Sequence, residues 1–241
     1  MTRDKLYADG KPPEGPFEFS DAVADVFPDM LRRSIPGYAA TIQAIRSLTR
    51  THARGGTRLY DLGCSLGAAT RAMRQGLSVP GCRIVAVDNA PAMVRRCRQI
   101  LASDDDPTPV EVLSADVREV VIENASVVVM NYTLQFLPPG DRKPMVDAVA
   151  KGLNPGGVFV LSEKVVHADP AVEAALTELH LEFKRRHDYS ELEISRKRAA
   201  LEKVLVPDTV ETHLSRLGEA GFSHAGVWLR YFNFVSLLAI R

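Results

Sequence analysis

Four polar side chains in this sequence stand at the ends of apolar runs, where a sheet would bring them to one edge. Asp61 follows Arg58-Leu59-Tyr60, Asp88 follows Ile84-Val85-Ala86-Val87, Asp116 lies just past Val110-Glu111-Val112-Leu113, and Asn131 closes Val127-Val128-Val129-Met130. Behind Asp61 comes Gly63-Cys64-Ser65-Leu66-Gly67, and then the helix-forming stretch Ala68-Ala69-Thr70-Arg71-Ala72-Met73. Strand, glycine turn and helix in that order form a receptor for a nucleoside. Glycine carries no Cβ to block the approach of a ligand to backbone N–H groups, and the first turn of a helix adds free donors. Taken alone, a polar residue at a strand end is more often a turn former or a helix cap. Four at one edge point to a site.

The ligand class follows from what the turn lacks. A dinucleotide fingerprint, G-x-G-x-x-G, needs a second glycine where this chain has Ser65. A pyrophosphate would therefore find a poorer cradle, whereas a ligand without phosphates loses little. Asp88 can accept the hydroxyls of an adenosine ribose by the geometry that dinucleotide proteins use. Together with the Asp-x-Gly-x-x-x-Gly turn, it points to S-adenosylmethionine. The competing view is a plain strand–turn–helix unit with no ligand.

The elements that would position these groups alternate. Asn89-Ala90-Pro91 opens a helix with Met93, Cys97, Ile100 and Leu101 on one stripe, and Asp104-Asp105-Asp106-Pro107 ends it. A helix over 142–153 stops at Asn154-Pro155-Gly156-Gly157, before a fifth strand at Val158-Phe159-Val160-Leu161. Such alternation predicts an α/β, doubly wound, Rossmann-like sheet, with ligands beyond the carboxyl ends of its strands. After Pro207, a helix carrying Val210, Leu214 and Leu217 leads to strands at 225–230 and 234–239, joined near Tyr231-Phe232-Asn233. A terminal antiparallel hairpin on a mostly parallel sheet of seven strands marks the class I methyltransferase fold. We expect one domain over 1–241: a tail and helical lid at 1–55, a nucleoside-binding core at 56–165, a helical insertion at 166–206, and the last helix and hairpin at 207–241. The lid helices are expected to break at Pro28 and at Ile35-Pro36-Gly37-Tyr38, which puts Tyr38 over the crevice.

Within the insertion, Val172, Leu176, Leu179 and Phe183 have the spacing of a packed amphipathic helix. Ser190-Glu191-Leu192-Glu193 then reads as a capping box that starts a second helix. At 100° per residue, Ile194, Arg198, Leu201 and Leu205 fall on one stripe, while Arg196 and Lys197 point elsewhere. Arg198 is then a guanidinium on an apolar face. It requires a carboxylate from the protein, a neighbouring subunit or a ligand, unless it snorkels to water.

Composition narrows the function classes. The 241 residues hold 30 Lys plus Arg and 30 Asp plus Glu, so no global field favours nucleic acid. Residues 184–203 carry seven basic against four acidic side chains, without interleaved aromatics, and read as a solvated face. Cys64, Cys82 and Cys97 are widely spaced, which argues against zinc or a disulfide framework and for a reducing compartment. The charged, proline-rich start contains no apolar run, so neither a signal peptide nor a membrane span is expected.

Several stretches together resemble the carboxy-S-adenosyl-L-methionine synthase family: Val26-Phe27-Pro28-Asp29-Met30, Arg33-Ser34-Ile35-Pro36-Gly37-Tyr38, the turn from Asp61 to Thr70, Asn131-Tyr132-Thr133-Leu134-Gln135-Phe136-Leu137, and Tyr189-Ser190-Glu191-Leu192-Glu193-Ile194-Ser195. The likeness runs from about residue 16 to 240 and departs mainly in the tail, the surface helices and the turn at 164–171. None of these departures touches a matched ligand position. The resemblance implies a cytoplasmic, homodimeric enzyme that uses prephenate to carboxylate the methyl carbon of S-adenosylmethionine, with no metal. Carboxy-S-adenosylmethionine and phenylpyruvate result, and the first supplies a separate enzyme that builds carboxymethoxyuridine at wobble position 34 of tRNA. It further implies ligand contacts at Tyr38, Gly63, Cys64, Ser65, Asp88, Asn89, Asp116, Val117 and Asn131, with Arg198 pairing the new carboxylate as the catalytic cation. Asp116 and the Val117 backbone would read adenine. Charge neutrality agrees with a supplier of a small molecule and not with a direct binder of tRNA. A small-molecule methyltransferase and a non-catalytic S-adenosylmethionine-binding module are the alternatives.

Overall fold

A computed structural model describes residues 2–8, 17–202 and 204–241. The part of the tail at 9–16, where the family likeness begins, and Lys203 of the basic run lie outside the described residues. Seven strands form one sheet: β1 (Arg58–Leu62), β2 (Arg83–Asp88), β3 (Val110–Ser114), β4 (Ala125–Asn131), β5 (Leu153–Lys164), β6 (His224–Tyr231) and β7 (Phe234–Ile240). Their order is β3-β2-β1-β4-β5-β7-β6, parallel except for β7, which runs antiparallel between β5 and β6. The chain winds outward from β1 to β3 and then returns to the other side of β1 as β4. The strand order therefore reverses between β1 and β4, and a crevice opens at their carboxyl ends.

Helices cover both faces. α1 (Asp21–Ser34) and α2 (Tyr38–His52) precede the sheet; α3 (Ala68–Gly76), α4 (Pro91–Ala102) and α5 (Pro139–Gly152) cross over between strands. α6 (Pro170–Arg186) and α7 (Glu191–Leu201) form the insertion, and α8 (Val210–Glu219) leads into the hairpin. β4 shows why a strand so placed is apolar throughout. Val128 and Met130 pack into one core cluster and Val127 and Val129 into the other, all at 0 % exposure. The capping box forms as expected: Ser190 Oγ accepts from Glu193 N, and Glu193 Oε2 accepts from Ser190 N.

Four local expectations need correction. Pro28 does not break the first helix, which runs through it; the Ser20 cap and the buried face of Val23, Val26, Phe27 and Met30 hold α1 together despite one missing N–H. The break at Gly37 is real, with φ +78° there. β5 begins at Leu153, not at Val158. Leu153 already pairs with Ala125, and the next pairing is Val158 with Val127, so residues 154–157 bulge out of the register. In α6 only part of the expected apolar stripe is turned in: Val172 is 40 % and Leu179 48 % exposed, while Phe183 lines the cavity. The face turned inward is Glu173, Thr177, His180 and Lys184, because what it meets is a cavity and not a core.

The fourth correction concerns α7, where the buried face carries Ile194, Lys197 and Ala200, while Arg198 turns out. Its side chain is 58 % exposed and pairs with Glu202 at 2.6 Å. Lys197 can be buried because polar partners enclose it: Asp4 Oδ2 at 3.4 Å, Ser34 Oγ at 3.1 Å and the Tyr189 hydroxyl at 3.3 Å. Tyr189 in turn donates to Asp4 at 2.5 Å. Arg33 adds bonds to the Asp4, His187 and Asp188 carbonyls. The basic run is thus divided. Arg185 and Arg186 form surface ion pairs, as a solvated face would, but Lys184 and Lys197 are interior.

Candidate functional site

A cavity of about 1000 Å³ fills the crevice. Its floor is the carboxyl ends of β1, β2 and β4, and α1, α2, α6 and α7 supply walls and roof. Every position expected to touch the ligand lines it: Tyr38 from the lid; Gly63, Cys64 and Ser65 from the glycine turn; Asp88 and Asn89 from the end of β2. Asp116, Val117, Asn131 and Arg198 complete the set, Arg198 at the rim. Asn89 is exposed at the edge of the cavity.

The glycine turn works differently from the sequence expectation. The N–H groups of Gly63 and Cys64 both donate to the Val87 carbonyl, at 2.8 and 2.9 Å, and that of Ser65 donates to Asp88 Oδ2 at 2.9 Å. These donors close the turn on β2 and are not held open for a ligand. A phosphate would find them committed, which reinforces the case against a dinucleotide. The glycines answer to the protein as well. A Cβ on Gly63 would lie 2.1 Å from Thr133 Oγ1, and one on Gly67 would lie 2.9 Å from Cys97 Sγ, with φ at +86° and +80°.

Asp88 accepts from Ser65 N through one oxygen and from Ala90 N through the other, at 2.9 Å each. Its carboxylate is therefore fixed in place, with lone pairs left over for hydroxyl donors; burial raises its pKa against the pull of those two bonds. Asp61 is 1 % exposed; Oδ2 accepts from Thr70 Oγ1 at 2.6 Å at the start of α3. Full burial pushes the Asp61 carboxyl up to about 6, the Thr70 bonds opposing and the charge of Asp88 adding to the rise. Its other oxygen, Oδ1, has no donor among the described residues, and the same holds for Asn131 Oδ1 and Asn233 Oδ1. Three orphaned acceptors on the wall of one cavity match a ligand rich in N–H and O–H donors.

Asp116 is less free. Arg118 engages both its oxygens, at 2.9 and 2.5 Å, and holds the carboxyl below its ordinary range. Any reading of adenine by its carboxylate must share that guanidinium. Cys64 is buried beside Cys97, and that neighbour and burial push its thiol up, which suits packing and not nucleophilic chemistry. Tyr38 is enclosed, and burial, then the charge of Asp61, raises its phenol above the ordinary value. It stacks on Tyr132 with ring centroids 6.4 Å apart.

Sequence reading missed several wall residues. Tyr132 takes φ +62° directly after Asn131, and Thr133 fills the space over Gly63; Glu163, buried and not itself part of the lining, accepts the Leu134 and Gln135 N–H groups at 3.0 and 2.9 Å. Lys164, His180 and Lys184 also face the cavity. Only their proximity to strand ends or their shared helix face would have pointed to them.

Comparison with known proteins places this geometry. A profile of the methyltransferase domain matches residues 59–157. Carboxy-S-adenosyl-L-methionine synthase of Klebsiella pneumoniae strain 342 is 52 % identical over 239 residues, 99 % of this chain and 97 % of that protein. The enzymes of the same name from Pectobacterium atrosepticum and Escherichia coli O1:K1 are 52 % and 48 % identical, with the same coverage. Among solved structures, a putative O-methyltransferase from Nostoc punctiforme aligns with TM-score 0.62 at 16 % identity, over 92 % of this chain and 60 % of its own. Human N-acetylserotonin methyltransferase in complex with SAM aligns with TM-score 0.61 at 16 % identity, over 92 % and 55 %. This chain spans less than two thirds of either structure, and the likeness to them is one of fold. With half of its residues shared along nearly the entire length of the bacterial enzymes, the chain belongs to the carboxy-S-adenosyl-L-methionine synthase family.

Proposed function

We propose that this protein converts S-adenosyl-L-methionine and prephenate to carboxy-S-adenosyl-L-methionine and phenylpyruvate. The observation that carries the reading is the polarity of the cavity, acidic at Asp61 and Asp88 on the strand ends and basic along the insertion. A sulfonium nucleoside bearing an ammonium suits the first end. An anionic co-substrate, and an anionic product arm, suit the second.

The roles follow from the groups present. Asp61 Oδ1 and Asn131 Oδ1 accept from the methionine ammonium, and Asp88 accepts the ribose hydroxyls. Gly63, Cys64 and Ser65 pack against the nucleoside as a shaped surface. Asn89 borders the ribose, and Asp116 with Val117 borders adenine. Loss of carbon dioxide and hydroxide makes the prephenate ring aromatic. The hydroxide removes a proton from the sulfonium methyl and leaves as water, and the methyl carbon bonds to the carbon dioxide. Water in the cavity would protonate that carbon first, so Tyr38 and the lid serve by exclusion. The protein contributes position and dryness more than acid–base chemistry.

Arg198 belongs to the same proposal. Exposed at the rim and paired only with Glu202 among the described residues, it can turn a guanidinium onto the new carboxylate. Arg198→Ala is expected to keep its fold and its affinity for S-adenosylmethionine, and to bind the carboxylated product about tenfold or more weakly. Calorimetric titration with both ligands measures this, and equal losses for the two would remove Arg198 from that role.

The proposal extends to a cytoplasmic homodimer whose product feeds a separate enzyme modifying wobble uridine 34 of tRNA. Val227, Trp228 and Tyr231, all exposed on the edge strand β6, offer apolar surface for a second copy. The equality of 30 basic and 30 acidic side chains supports the absence of direct tRNA binding. Among the described residues, no helix is long and apolar enough to cross a membrane. Mass analysis of the purified protein and of its reaction with S-adenosylmethionine and prephenate tests the whole reading. A nucleoside heavier than S-adenosylmethionine by one carbon dioxide is expected; S-adenosylhomocysteine would instead signal methyl transfer, and binding without product a sensing module.

A further inference from the structure

The inward face of α6 presents Glu173, Thr177, His180 and Lys184 to the cavity, and Lys164 joins them from the end of β5. The acids here are engaged. Glu173 accepts the His167 N–H at 2.8 Å and the Thr177 hydroxyl at 3.3 Å, and Glu202 pairs with Arg198. His180 bonds the Ser34 carbonyl through Nε2 at 2.9 Å and packs edge-on to Phe234; burial, then the charge of Lys184, pushes its pKa down to about 3 against that bond, so it is neutral. The two lysines differ. Lys184 is only 8 % exposed, yet its amine makes no hydrogen bond or ion pair with any described residue, and neither does that of Lys164. Burial, and then the charges of Lys197, Lys164 and Arg198, push Lys184 down to about 7.

An enclosed ammonium without a counterion is costly, and two on one wall repel each other as well. Such a pair is stable in use only if an anion arrives. Lys197 is already served by Asp4, and Arg198 by Glu202 at the rim; Lys164 feels the charges of Glu173 and Glu202 without bonding either, so the unmet demand is greatest at Lys184, with Lys164 beside it. There is room to meet it. At about 1000 Å³ the cavity stands at the upper limit for small-molecule sites, enough for a second ligand beside a nucleoside.

We propose that Lys164 and Lys184 form the receptor for the pyruvyl carboxylate of the dianionic co-substrate, the one its product keeps, leaving the ring carboxylate free to depart toward the methyl carbon and Arg198 for the carboxylate that the reaction creates. This rests on the functional reading above and assigns it a second subsite. In it the ring of the dicarboxylate lies between the lysine wall and the methyl end of the nucleoside, with Phe234 and Leu181 as apolar neighbours.

The test is calorimetric titration of prephenate into protein saturated with S-adenosylhomocysteine, which has no methyl group to react, combined with steady-state kinetics. Lys184→Met and Lys164→Met should each weaken prephenate binding about tenfold or more and raise its KM to match, as for a lost hydrogen bond to a charged group. Affinity for S-adenosylmethionine should stay within about twofold, a margin well below one such bond. Lys184→Arg should recover most of the loss, which a merely structural residue would not do. Thermal melts confirm folding; removing an unpaired buried charge is not expected to lower stability. If wild type forms product and the folded Met variants bind prephenate equally well, the lysine subsite is overturned while the functional reading stands. If wild type neither binds prephenate nor forms product, that reading fails and the subsite with it.

Discussion

Asp61→Asn is expected to stabilise the ligand-free protein at neutral pH while removing most of its affinity for S-adenosylmethionine. The buried carboxyl has its pKa at about 6 in the folded chain, against 3.8 for an unperturbed aspartate. The native state therefore holds the proton more tightly than the unfolded state. The sign follows: this group costs nothing well below pH 3.8, and its cost grows as pH rises and is complete above 6. At 1.36 kcal/mol per pH unit the full cost is on the order of 3 kcal/mol. Asparagine has no charge to desolvate and keeps one oxygen for Thr70. Urea denaturation should find the variant more stable than wild type at pH 7.5 and equal to it near pH 3.5, if both remain folded. Binding should move the other way, by roughly 10- to 100-fold, because a cationic ligand loses an ionised acceptor. Wild-type affinity should also fall as pH is lowered through about 6, a dependence the variant lacks. A variant that binds S-adenosylmethionine as wild type does would exclude Asp61 from the ammonium site.

Gly63→Ala is expected to have the largest effect on folding. The residue sits at φ +86°, where a side chain costs about 1–2 kcal/mol. Its new Cβ would also stand 2.1, 2.5 and 2.8 Å from Thr133 Oγ1, Cγ2 and Cβ. Thr133 cannot swing clear at its own Cβ, so the turn must move and strain the 2.8 Å bond from Gly63 N to Val87. A loss of about 3 kcal/mol or more should appear in chemical denaturation. The double variant Gly63→Ala with Thr133→Gly should recover part of it, since it removes the clash but not the φ penalty. Recovery of none would mean that the clash contributes little.

The sheet was legible because the central strands β2 and β4 announce themselves by unbroken apolar runs closed by a polar residue, and because glycine and proline mark the boundaries of the others. The insertion was legible only as helices. Periodicity counts apolar side chains and turns them inward, but α6 faces a cavity, so its useful face is the polar one and Leu179 is left outside. At α7 the same rule hid Lys197 on the wrong side. Its burial depends on Asp4, which no local pattern connects to it, and once Lys197 is inside, Arg198 must be out. The edge residues Asp88 and Asn131 could be found from one strand each. Glu163, Thr133 and Lys184 could not, since what they do is defined by elements far away in sequence.

The knot of Asp4, Tyr189 and Lys197 has a consequence for how the protein is made. Its members are separated by 185 and 193 positions, so the roof is fastened by some of the most distant contacts in the chain. A polypeptide emerging from the ribosome can pair β1 with β2 long before α7 exists. Its amino-terminal stretch must wait, unfastened, until translation has passed the insertion. Competence to enclose a small molecule therefore arrives late in synthesis, after the platform that will hold it has already begun to assemble.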